Sequence, residues 1–131
     1  MDPKADKHFK KAADQLRQAN EELHKPNEDV VSFLVCKNSV KSIENQLKGF
    51  LAQRGFETSE NESLDHLLER CRLLDKKFYQ VNFDAIDCSA NHIHDKFCDE
   101  VEKVSGCFQA ADQLDSFLRS QKIIWHAVLS L

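Results

Sequence analysis

Residues 38–55, NSVKSIENQLKGFLAQRG, carry an apolar line through Val40, Ile43, Leu47, Phe50 and Leu51 and then stop at Gly55. Spacings of three and four put those side chains on one face of an α-helix, and the glycine supplies an exit. The same period recurs along the chain. Phe9, Ala12, Leu16, Ala19 and Leu23 mark one face of a helix over about 4–24. Leu64, Leu67, Leu68, Cys71, Leu74 and Phe78 do so over about 63–79. A last helix is expected from near Cys88, through Ile93, Phe97, Val101, Val104, Phe108, Ala111, Leu114 and Leu118, with Gly106 placed to bend it. Three Gly and two Pro among 131 residues are too few turn formers for a β-rich fold. The predicted architecture is therefore all-α, an antiparallel up-and-down four-helix bundle in one domain over 1–131.

The boundaries follow from local chemistry. Pro26 disfavours helical geometry at Lys25, and Asn27 can cap what comes next, so a second helix is expected over about 28–54. It opens with VVSFLV at 30–35, apolar on nearly all sides, and is predicted to be the most buried element. Gly49 within it costs about 1 kcal/mol relative to Ala, which suggests close approach by a neighbouring backbone. FETSENE at 56–62 reads as a polar connection, and 80–87 as an irregular one with Phe83 and Ile86 turned inward. The apolar extension 121–131 holds Ile123, Ile124, Trp125, Val128, Leu129 and Leu131, which must cover either the bundle or a second subunit.

Charge narrows the partners. A net charge of −4 argues against binding nucleic acid through bulk electrostatics. The balance is uneven, at +2 over 1–55 and −6 over 56–131, which leaves room for a basic patch on the first two helices. Five widely spaced cysteines do not resemble a secreted disulfide framework, and Cys36 and Cys71 fall where a free thiol acts as a small buried hydrophobe. With no leader and no apolar run long enough to span a bilayer, the sequence predicts a cytoplasmic protein without membrane contact.

The stretch at 38–55, followed by SLDHLLERC at 63–71, resembles the HEPN family of small all-helical domains. Its Glu-x-x-Leu-Lys, closing Gly and Asp/Ser-Leu-x-x-Leu-Leu positions read here as Glu44, Leu47, Lys48 and Gly55, then Ser63, Leu64, Leu67 and Leu68. The resemblance covers about residues 4–120. It implies a homodimer and a nucleotidyltransferase as partner. Many members are ribonucleases in which an Arg and a His, with four to six residues between them near the start of the final helix, stabilise phosphate charge and move a ribose proton. The corresponding window here, CSANHIHDKF at 88–97, has His92 and His94 but no nearby upstream Arg. Two displaced pairs, Arg17 with His24 and Arg119 with His126, have the i,i+7 spacing of one helix face. Arg119 and His126 are the catalytic candidates of the alternative reading, a metal-independent ribonuclease.

Other chemistry is sparse. Cys88, His92, His94 and Cys98 are four candidate metal ligands, yet on a helix His92 and His94 point about 200° apart, so one tetrahedral site needs unwound backbone. A di-iron bundle needs repeated Glu-x-x-His, and only Glu21-x-x-His24 fits. Asn45-Gln46-Leu47-Lys48-Gly49 resembles the His-x-Leu-Lys-Gly motif of phosphotransfer bundles with Asn at the phosphoacceptor position, the mark of a pseudo-phosphotransfer or scaffold protein. Lys37, Lys41 and Lys48 border the apolar stripe of the second helix and Lys7, Lys10 and Lys11 cluster on the first, a solvated face or a groove for phosphate. The leading expectation is a non-enzymatic HEPN-like module, without cofactor, that binds a nucleotide or a protein partner.

Overall fold

The computed structural model of the chain describes residues 3–83 and 101–121. Four helices make up the described fold: α1 at Pro3–Leu23, α2 at Ser32–Gln53, α3 at Leu64–Leu74 and α4 at Val101–Ser120. Among the described residues there is no strand, and no helix is long and apolar enough to cross a membrane. The fold is an all-α four-helix bundle, as the spacing of apolar residues predicts.

Helix α2 is the axis on which the others pack. Its core side chains Val35, Val40, Ile43, Leu47, Phe50 and Leu51 are buried, and small Ser39 and Ser42 let neighbours approach between them. Helix α1 runs antiparallel to it. Phe9 lies against Gly49, Ser42 Oγ donates to the Ala12 carbonyl at 2.7 Å, and Glu22 Oε2 accepts from the Val31 N–H at 2.9 Å. Helix α4 lies parallel to α2, with Cys36 Sγ 3.8 Å from Cys107 Sγ and Gln46 Nε2 donating to the Ala111 carbonyl at 3.2 Å. Helix α3 sets Cys71 Sγ 3.9 Å from the Leu47 carbonyl.

Gly55 ends α2 as expected. Its φ of +83° is left-handed, and the Gly55 and Phe56 N–H groups return to the Ala52 and Leu51 carbonyls, both at 3.0 Å. The following connection is pinned by Arg70, which donates to both Glu62 oxygens at 2.8 and 2.9 Å and to the Glu57 carbonyl at 3.0 Å.

Three expectations change. The helix predicted over 63–79 stops at Leu74; Asp75 turns extended and its side chain accepts from the Lys77 N–H, opening a 3₁₀ turn over Lys76–Gln80. Phe78 stays in the core all the same, fully buried between Phe50 and Phe117 at centroid distances of 4.6 and 5.1 Å. The second helix starts at Ser32, after a 3₁₀ turn over Asn27–Asp29, so that Val31 stands outside it and is 47 % exposed, although among the described residues α2 is the most buried helix, as expected. Gly49 is approached by a side chain, not a backbone: a Cβ there would lie 2.5 Å from Phe9 Cε1. Phe83 is half-buried against the core as predicted, while Ile86 and the apolar run 123–131 lie outside the described residues.

Candidate functional site

Along the seam between α1 and α2, each helix carries a polar ladder beside its buried stripe. On α1 it is His8, Lys11, Gln15 and Gln18; on α2 it is Asn38, Lys41, Asn45 and Lys48, with the same spacing of three, four and three. The helices are antiparallel, so the ladders face each other in reverse order. They line a groove of about 720 Å³, bordered by Asp14 and Glu44 and closed at one end by Glu60 and Asn61 of the connection after α2. That size is in the range of small-molecule sites, roughly 300–1,000 Å³.

Hydrogen bonds tie the two helices together across the groove. His8 Nδ1 donates to Asn45 Oδ1 at 3.0 Å, and Asn45 Nδ2 donates to the Lys41 carbonyl at 3.2 Å. The Gln15 amide sits against Asn45, whose Nδ2 also donates to Gln15 Oε1 at 2.9 Å. Asn45 is thus half-buried in the seam between two helices.

The charges in the groove are unequal in what they are free to do. Lys41 Nζ lies 3.8 Å from Glu44 Oε2, and Asp14 is taken by Arg17 and by Gln18 Nε2 at 2.9 Å. Among the described residues neither Lys11 nor Lys48 is in an ion pair. Lys41 and Lys48 line this groove; Lys37 does not, and of Lys7, Lys10 and Lys11 only Lys11 does. His8, Gln15, Gln18 and Asn38 are members that the lysine pattern alone did not find. Their signal was the shared polar spacing beside two apolar stripes.

Other candidates resolve differently. The Arg17/His24 pair is not assembled: Arg17 binds Asp14 and Glu21, and His24 Nδ1 donates to the Asn20 carbonyl at 2.8 Å. Arg119 Nε donates to Asp115 Oδ2 at 2.9 Å within α4, and His126 lies outside the described residues. Cys88, His92, His94 and Cys98 also lie outside them. Arg70 and Arg72 hold backbone, Arg72 through the Phe78 and Val81 carbonyls, and Arg54 covers the Phe50 ring at 4.9 Å. All five arginines are therefore engaged within the fold, and lysines carry the positive charge of the groove.

No family model, curated protein or solved structure matches this chain.

Proposed function

We propose that this chain is a non-enzymatic, HEPN-like helical module whose α1/α2 groove binds a nucleotide. The observation that carries this reading is the meeting of Lys11 and Lys48, outside any ion pair among the described residues, with the carboxamides of Gln15, Asn38 and Asn45 in one groove of nucleotide size. Lysines supply point charges for phosphate, while carboxamides both donate and accept, as the edge of a base or a ribose requires. A non-enzymatic role fits the commitment of Arg119 to Asp115, since a phosphate-stabilising Arg must reach a ligand. The acidic chain as a whole favours a single small anion over a polynucleotide.

Titration of isotope-labelled protein with a panel of nucleoside mono- and triphosphates tests this by amide chemical shifts. The expected result is saturable shifts confined to residues of the groove, centred on Lys11, Asn45 and Lys48. Absence of saturable shifts with every nucleotide at millimolar concentration would overturn the reading.

A further inference from the structure

Resting on the nucleotide reading above, we infer that the groove is polar along its length and takes an adenine mononucleotide in one direction, with the phosphate at the Lys11/Lys48 end and the base at the Gln18/Asn38 end. The antiparallel register separates the two chemistries. His8 bonded to Asn45, and Phe9 lying against Gly49, set the start of α1 beside the end of α2, so Lys11 and Lys48 belong to that end. Glu22 bonded to the Val31 N–H sets the other end, toward which Gln18 and Asn38 lie.

At the lysine end two ammonium groups stand outside ion pairs, which suits a phosphate dianion. At the far end Asp14 holds the Gln18 amide by its nitrogen, leaving the Gln18 oxygen and the Asn38 side chain for a ligand. A carboxamide pairs with adenine through donation to N7 and acceptance from the N6 amino group. Lys41, the third lysine of the groove, lies beside Glu44, and Asp14 holds Arg17, so neither cation is left for the next phosphates of a longer strand.

Calorimetric titration with adenosine monophosphate, adenosine and a short oligoadenylate, on three proteins, decides this. In the wild type the monophosphate is expected to bind about tenfold more tightly than adenosine, and more tightly than the oligoadenylate. The Lys11→Gln/Lys48→Gln protein should lose that preference while binding adenosine as the wild type does. Asn38→Ala should weaken adenosine and its monophosphate alike, by about tenfold. A double variant that keeps the preference, equal binding of adenosine and its monophosphate, or tighter binding of the oligoadenylate overturns the polarity while the nucleotide reading stands. Failure of the adenosine compounds when other nucleotides shift the groove amides overturns the adenine assignment alone; failure of every nucleotide overturns both.

Discussion

At the scale of single residues, the Phe9/Gly49 contact does most to set the register that forms the groove. Alanine is the better helix former by about 1 kcal/mol, so a surface Gly→Ala change would stabilise. Here the added Cβ would lie 2.5 Å from a ring that is 1 % exposed and has little room to swing away. Overpacking of this kind costs about 1–3 kcal/mol. Gly49→Ala is therefore expected to lower the urea midpoint, and adding Phe9→Leu should recover part of the loss; a Gly49→Ala protein more stable than wild type would show that the ring yields freely. The buried thiols give a second prediction. Burial pushes Cys71 up to about 12, and contact with Cys107 together with burial pushes Cys36 up as well. Since the thiolate is the nucleophile, neither should be alkylated at pH 8 in the folded protein, although both should react in denaturant. Peptide mapping after iodoacetamide treatment reads this directly, and rapid native labelling of Cys71 would contradict its burial.

At the scale of elements, the ends of helices are set by side chains whose partners lie several residues away. The Ser63 hydroxyl accepts from the His66 N–H at 3.1 Å and begins α3, and Asp75 begins the 3₁₀ turn after it. Loss of such a cap costs about 1 kcal/mol, so Ser63→Ala should lower thermal stability modestly without altering the helix content of the folded state. Helix α2 has no side-chain cap of its own; Glu22 of α1 reaches the Val31 N–H instead. That backbone bond, with help from Lys25, holds the Glu22 carboxyl below its usual range. A depressed folded pKa stabilises above the unfolded pKa and is lost as pH falls through the folded one. The stability gap between wild type and Glu22→Gln should accordingly be full near pH 6 and narrow below about pH 4.5; a gap independent of pH would mean that the charge contributes nothing. These ends show why the helices were legible in the sequence and some boundaries were not. Apolar spacing runs from Leu74 to Phe78 without a break in phase, so it passes over the turn at Asp75. Val31 looks like core by type, yet it precedes the first helical residue and faces out.

At the scale of the whole molecule, the groove was less legible than the fold because it depends on register between helices. The lysines on each helix were visible separately; that Lys11 joins Lys48 and that Lys37 stands apart follows from where Phe9 meets Gly49. The core depends on a similar long-range meeting. Helix α3 spans only Leu64–Leu74, half the length of its neighbours, and leaves the Phe50/Phe117 end of the bundle for another element to fill. Phe78 fills it from the 3₁₀ turn, fully buried and touching rings from both α2 and α4. Removing a buried phenylalanine costs about 3–5 kcal/mol. Against a total stability of roughly 5–15 kcal/mol for a domain of ordinary size, that loss would leave the bundle marginal. Leu73 is five residues away and 79 % exposed, so Leu73→Ala should change stability by less than about 0.5 kcal/mol. Urea unfolding of the two variants, followed by far-ultraviolet circular dichroism, distinguishes a ring that joins two helices from one that merely sits in a turn. Phe78→Ala is expected to shift the midpoint sharply, with all helical signal lost in one transition. If it behaves like Leu73→Ala, the Phe50, Phe78 and Phe117 cluster does not hold α2 and α4 together.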